Sequence, residues 1–283
     1  MPESPLVSVL MTAYNREKYI AEAIESVLAS SYKNFELIIV DDRSNDRTVE
    51  IARSYQAADN RVQVYINDNN LGDYPNRNRA ASYAKGEYLK YVDADDHIYP
   101  WGLQLLVQMM EQFPEAGWGL CSIRQNDGKP FPFILTPSEA YAYHYLGQGL
   151  FHKAPLSAII KRNVFNEVNG FAAIRMAGDF ELWHRLAQRY PVLLMPEGIV
   201  WYRKHGEQEM NTYSNYAHVY NRITMQYIQN GCPLDLAERE RVLKNKKSEL
   251  YRRLIRSVAS FHFKNAVETA KTLRTKTIGS TLN

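Results

Sequence analysis

Residues 6–28, LVSVLMTAYNREKYIAEAIESVL, contain the change of period on which the fold reading turns. Val7 to Met11 form a short apolar run rich in β-formers, whereas Ile20, Ile24, Val27 and Leu28 recur at helical spacing, so the segment reads as strand, polar loop and amphipathic helix. The unit then repeats. Residues 35–40 (FELIIV), 62–66 and 88–92 read as further strands, with helices over 46–55, 75–84 and 101–113 between and after them. Such alternation predicts an α/β fold with a mostly parallel sheet covered on both faces, whose ligands bind at the carboxyl ends of the strands. Beyond Ile123 the regularity fades. Residues 124–155, rich in Pro, Gly and aromatics, read as a loop-dominated functional stretch; strands at 156–160, 192–195 and 198–202 continue the sheet, and a helix opens near Asp179.

At 283 residues, with 45% hydrophobic and 23% charged residues, the chain has the composition of a folded globular protein with one large domain and an appendage. A formal charge of +3 argues against nucleic acid as the partner. Cys121 and Cys232, the two cysteines, are far apart and have no metal-ligand spacing, and residues 1–5 lack a signal-peptide pattern, so a reducing cytoplasmic setting is expected.

Three strand ends carry the chemistry. The first runs into Thr12-Ala13-Tyr14-Asn15-Arg16, where a hydroxyl, an aromatic face and an amide suit a nucleotide; a helix cap at Thr12 or Asn15 is the plainer role. The second runs into Asp41-Asp42-Arg43-Ser44-Asn45-Asp46, with Asp46 or Ser44 placed to cap the next helix and two adjacent carboxylates in excess of capping. The third runs into Asp93-Ala94-Asp95-Asp96. Three carboxylates in four positions repel one another unless a cation neutralises them, and oxygen-only ligands favour Mg²⁺ or Mn²⁺.

Together, the first strand and its loop, FELIIVDDRSNDRT, the Arg77-Asn78 pair followed by AKGEY, and VDADD resemble glycosyltransferase family 2, the inverting, nucleotide-sugar-dependent GT-A enzymes. The likeness is strong from residue 6 to 113 and thins through GDFELWHRL and VWYRKH to His205. It implies a GT-A catalytic domain over residues 1–208, with a nucleotide side (1–123) and an acceptor side (124–208), and a helical extension over 209–283. It further implies nucleotide binding by Thr12, Ala13, Tyr14, Asn15, Asp41, Asp42 and Arg77. Asp93 would hold the ribose or the metal's water shell, Asp95 the metal directly, and His205 would complete the metal shell. Asp179, on its own a helix cap, becomes the general base through the resemblance, with Glu181 a lesser candidate. The expected partners are a UDP-sugar, Mn²⁺ or Mg²⁺, and a saccharide or lipid-linked acceptor.

Three positions depart from the family pattern: Arg43 where Gly is frequent, Gly178 where an acid often precedes the base, and Asp73-Tyr74-Pro75-Asn76 ahead of Arg77. The chain has neither a GxGxxG nor a GxxxxGK[ST] segment, which argues against a dehydrogenase or a P-loop enzyme. Between residues 236 and 276 twelve Lys/Arg face four acids. A solvated face or a dimer contact is the plain expectation there, and docking on anionic lipid at the inner face of the membrane the sharper one. A non-catalytic module working through these helices is the alternative to an enzyme.

Overall fold

The computed structural model describes residues 4–126, 128–206, 215–259, 261 and 263–274. It begins with β1 (Val7–Ala13), α1 (Ile20–Leu28), β2 (Phe35–Asp41), α2 (Thr48–Ala58), β3 (Val62–Ile66), α3 (Asp73–Tyr83) and β4 (Tyr88–Tyr91). Then follow β5 (His97–Ile98), α4 (Gly102–Gln112), β6 (Trp118–Ile123), β7 (Phe133–Leu135), α5 (Pro137–Ala142), β8 (Ala158–Lys161), α6 (Arg162–Glu167), α7 (Gly178–Ala187), β9 (Val192–Pro196) and β10 (Val200–Trp201). Three helices, α8 (Ala217–Gln229), α9 (Leu236–Ala259) and α10 (Phe263–Arg274), complete the described chain. The border expected at residues 208 and 209 falls outside the described residues.

The main sheet has the order β3-β2-β1-β4-β8-β6-β9-β7. Strands β3, β2, β1 and β4 are parallel, β8 is antiparallel to both β4 and β6, β6 and β9 are parallel, and β7 closes the edge antiparallel to β9. Every residue of β2 is buried, as a central strand covered on both faces requires.

The period-two alternation of the strands divides the core. Val7, Val9 and Met11 of β1 pack with Ile20, Ile24 and Val27 of α1 and with Leu103, Leu106 and Met110 of α4. Leu10 of β1 and Ile38 and Val40 of β2 face the other way, toward a layer that includes Phe180, Trp183 and Leu186 of α7 and Ile223 and Ile228 of α8. Burying such a side chain contributes about 1.5–3 kcal/mol, so the helical spacing in residues 20–28 and the strand spacing before it lock to one another. Helix α8 therefore shares the core of the sheet.

Two expectations are corrected. The segment near 198–202 does not continue the sheet: Val200 and Trp201 pair antiparallel with Ile98 and His97 in a separate two-stranded ribbon. Nor is 124–155 mainly loop. It contains β7 and α5, and α5 is started by a capping box in which Thr136 and Glu139 satisfy each other's backbone N–H groups, with Pro137 in the first turn. Among the described residues no helix is long and apolar enough to cross a membrane.

Candidate active site

Parallel pairing brings the carboxyl ends of β1, β2 and β4 to one edge. Ala13 lies opposite Asp41, and Leu10 opposite Tyr91, so the loops after all three strands open on the same side. There they line a cleft of about 1160 Å³ that α3 and the start of α7 complete.

The first two loops are tied together. Asn15 adopts a left-handed φ of 52°; its N–H donates to Ser44 Oγ at 2.8 Å and its Oδ1 accepts from the Asn45 N–H at 2.9 Å. Arg43 is also left-handed, with φ 66°, a conformation that glycine adopts without the Cβ penalty of about 1–2 kcal/mol. That accounts for the departure at this position: the loop keeps the glycine-like turn and carries an arginine through it. Thr12, Ala13, Tyr14 and Asn15 all line the cleft, Tyr14 being 44% exposed.

The paired aspartates differ in role. Asp41 is buried behind the cleft and accepts from the Ser44 N–H at 2.8 Å, so it shapes the loop and is not part of the wall. Asp42 reaches the cleft, but Oδ1 accepts from the Leu71 N–H and Asn67 Nδ2 and Oδ2 from the Gly72 N–H, each at 2.8 Å. Its carboxylate thus fastens residues 67–72 below the cleft, with about one lone-pair site left over.

Arg77, on the second turn of α3, is buried and forked. Nε donates to Asp73 Oδ1 at 2.8 Å, while Nη1 and Nη2 donate to the two oxygens of Asp93 at 2.6 and 2.9 Å. The neighbouring Asn78 turns the other way and clips Phe171 through both its N–H and its carbonyl, at 2.9 and 2.8 Å, joining α3 to the segment between α6 and α7.

Asp95 stands open to the cleft with its Oδ2 3.0 Å from Arg16 Nε and 3.0 Å from His205 Nε2. His205 is held beside Tyr19, ring centroids 4.7 Å apart. Asp96 is buried and accepts from the Arg203 N–H at 2.9 Å; burial first, and then the charge of Asp93, push its carboxyl well above the ordinary range. Among the described residues no three His, Cys, Asp or Glu side chains form a ready-made cage for a metal ion. A Mg²⁺ or Mn²⁺ that draws most of its shell from substrate phosphates and water needs one or two protein ligands, and the Asp95 carboxylate, which lines the cleft beside the His205 imidazole, fits that smaller demand. Asp93, already forked by Arg77, is the poorer direct ligand.

Asp179 enters from the opposite wall, in the first turn of α7. Its Oδ1 accepts from the Phe180 N–H at 2.7 Å and from the Tyr74 hydroxyl at 3.0 Å. Burial raises its pKa to about 6, with those two hydrogen bonds opposing the rise. Glu181 is spent elsewhere, on Arg185 and the Tyr227 hydroxyl, and lines no part of the cleft. Of the 124–155 stretch, Ala154 and Pro155 reach the cleft.

Sequence reasoning assigned no role to Arg16, Tyr74, Arg175 or Tyr202, all of which line the cleft. Arg16 lies inside a quoted motif and its charge next to an acid-rich site was the available signal. The other three come from segments that only the packing of α3, α7 and β10 brings in.

A protein-family model described as "Glycosyl transferase family 2" matches residues 8–169. The chain belongs to glycosyl transferase family 2. As a member it is a glycosyltransferase, and the alternative of a non-catalytic module is set aside. The family 2 chain is 30% identical over 227 residues to glycosyltransferase GlyG of Streptococcus pneumoniae, covering 74% of each chain. Its fold matches that of TarS 1–349 of S. aureus, solved in complex with UDP-GlcNAc, with a TM-score of 0.65 at 21% identity over 84% of this chain and 70% of that one. It also matches the mannosyltransferase PcManGT of Pyrobaculum calidifontis, solved in complex with GDP-Man and Mn²⁺, with a TM-score of 0.59 at 16% identity over 96% and 88% of the two chains. The sheet with its covering helices is the GT-A fold expected from the first four motifs.

Proposed function

We propose that this glycosyltransferase moves a sugar, with inversion, from a UDP-sugar to a hydroxyl of a saccharide or lipid-linked acceptor in a Mn²⁺- or Mg²⁺-dependent reaction. The observation that carries the reading is that Asp95 and Asp179, from the two halves of the chain, line one cleft. The bound UDP-GlcNAc of TarS and the GDP-Man and Mn²⁺ of PcManGT supply the donor class and the metal by likeness of fold.

Thr12 to Asn15 would carry the base, with the Tyr14 ring as its apolar face and Asp42 as the acid near it. Asp95, with His205, would hold the cation, which when bound offsets the negative charge that gathers on the departing diphosphate. Arg77 and Asp93 border the diphosphate and ribose. Asp179 would take the acceptor hydroxyl's proton as that oxygen attacks the anomeric carbon from the face opposite the leaving group. Oδ1 already accepts two hydrogen bonds, so Oδ2 is the oxygen left for that proton. With its pKa raised to about 6, the carboxyl is a better proton acceptor than an ordinary aspartate and is still ionised at neutral pH. We place the reaction on the cytoplasmic side of surface polysaccharide or glycolipid assembly, with a catalytic domain whose core takes in α8, beyond the border expected at residue 208.

Calorimetric titration of UDP with and without Mn²⁺, on wild type and Asp95→Ala, tests the donor site. Binding that needs both the ion and Asp95 is the expected result, and Asp179→Asn should then retain binding and lose turnover. Failure of every nucleoside diphosphate to bind in a metal-dependent way would overturn the proposal.

A further inference from the structure

The exposed apolar side chains of this protein are unevenly spread. Tyr251 (56% exposed), Ile255 (67%) and Val258 (50%) follow one another at spacings of four and three residues, so they form one stripe along α9. At the turn into α10 the stripe meets Phe261 (80%) and Phe263 (60%), whose rings stand edge to face 6.1 Å apart, and Val267 of α10 adds to it. Arg252 and Arg256 are exposed beside the stripe. Along the same helix a shallow groove of about 550 Å³ is lined by Leu243, Lys244, Lys247, Tyr251, Arg252 and Ile255, with Glu240 and Ser248.

Among the described residues the packing leaves this face uncovered. Val242, near the start of α9, joins the main core, whereas Leu250 is buried but belongs to neither core cluster. Among the described residues the second half of α9 therefore packs in a thin layer with α8 and α10, and Tyr251, Ile255 and Val258 on its outer side stay exposed. An apolar stripe in solvent is unfavourable unless a partner covers it.

We propose that this face docks the protein on an anionic lipid surface, with α9 lying in the interface. Charge selects that occupant. From residue 250 to 263 the sequence has three arginines and no acid, so a second copy facing this patch through a two-fold axis would set arginine against arginine. Phosphate headgroups complement the arginines, while Tyr251, Ile255, Phe261 and Phe263 have the size and depth to enter the acyl boundary. With eight Lys/Arg and three Glu in α9, the helix lies on a bilayer and does not span one. This inference stands apart from the donor chemistry and does not depend on it.

The test uses the full chain with sucrose-loaded vesicles of phosphatidylcholine alone and of phosphatidylcholine with phosphatidylglycerol. Sedimentation with the anionic vesicles only, weakened by added salt, is expected. The triple variant Arg252→Gln, Arg253→Gln, Arg256→Gln should lower partitioning on the order of a hundredfold, from about fivefold per basic residue near the surface. Phe261→Ser with Phe263→Ser should lower it without changing the salt dependence. Circular dichroism and UDP binding identical to wild type would show that the variants fold. Equal partitioning onto neutral and anionic vesicles, or none, overturns the proposal. So does a concentration-dependent dimer, by sedimentation velocity, that Ile255→Asp dissociates, because the face then belongs to a second copy.

Discussion

The Tyr74 hydroxyl lies 3.0 Å from Asp179 Oδ1 and joins the first turn of α3 to the first turn of α7, 105 residues further along the chain. A donor to a carboxylate favours its ionised form, and a hydrogen bond to a charged group contributes about 1.5–3 kcal/mol. Asp179 is the base proposed above, so its ionisation sets the acid limb of kcat/KM, placed near pH 6 by the raised pKa. Tyr74→Phe removes the donor and should move that limb up by about one pH unit while leaving the plateau activity nearly unchanged. Asp179→Asn should lower kcat by about 10²- to 10⁴-fold at every pH. A pH–rate profile of the Phe variant that overlays wild type would show that Tyr74 only packs.

Gly178 owes its identity to the same tyrosine. A Cβ there would stand 2.7 Å from Tyr74 Cγ and Cδ2 and 2.7 Å from the Ala172 carbonyl oxygen. The two departures from the family pattern, at Tyr74 and at Gly178, are thus one departure: the ring occupies the space a side chain at 178 would need. Gly178→Ala should destabilise by about 1–3 kcal/mol through overpacking. In a Tyr74→Ala background the same glycine substitution should cost less in urea unfolding, the remaining cost being the backbone clash with Ala172.

Arg77 shields Asp93 with a two-pronged contact at 2.6 and 2.9 Å and is itself almost wholly buried. Removing one member of such a pair strands the other's charge. Arg77→Met should therefore cost about 3 kcal/mol, the low end for a buried pair since Asp93 keeps some solvent contact. Arg47→Ala, which breaks the exposed Arg47–Glu50 pair, should leave Tm unchanged. Equal losses in the two variants would contradict this ranking.

His184, on the buried face of α7, is fully buried, with its pKa depressed to about 3 mainly by burial. Its Nδ1 lies 2.6 Å from the Phe180 carbonyl oxygen, which can only accept, so Nδ1 carries the proton and Nε2 accepts from the Tyr145 hydroxyl at 2.6 Å. As pH falls below 6.5 the unfolded chain binds a proton at this histidine that the folded chain refuses. Stability then drops by up to about 1.4 kcal/mol per pH unit from this group, and the loss continues down to about pH 3. Asp179 and Asp96, with raised pKa values, act in the opposite sense. The comparison that isolates the histidine is the slope of unfolding free energy between pH 6.5 and 5 for wild type and His184→Asn. The variant's slope should be smaller by close to one proton.

Strands β1, β2 and β4 were legible to within two residues because both of their faces are buried and their runs are apolar, and the edge strand β3 was legible to the residue from its run of Val, Tyr and Ile. The ribbon of β5 and β10 was not, since two-residue strands carry no period and their pairing is set by chain 102 residues away. The capping box at Thr136 is a local signal that was there to be read. In the site, Asp93, Asp95 and Asp179 were visible as acids at a strand end and a helix start. Their partners Arg77, Arg16 and Tyr74 are chosen by tertiary packing, which one sequence does not display.

The β5–β10 ribbon pins the residues just after the acidic triplet to those just before His205. The chain between departs from and returns to this buckle, and on the way β8 rejoins the main sheet beside β4. Such wiring lets the loops between the sheet strands be lengthened or reshaped while Asp95 and His205, at the two ends of the stretch, keep their contact of 3.0 Å. Diversity in what receives the sugar can then arise without re-inventing how the sugar is delivered.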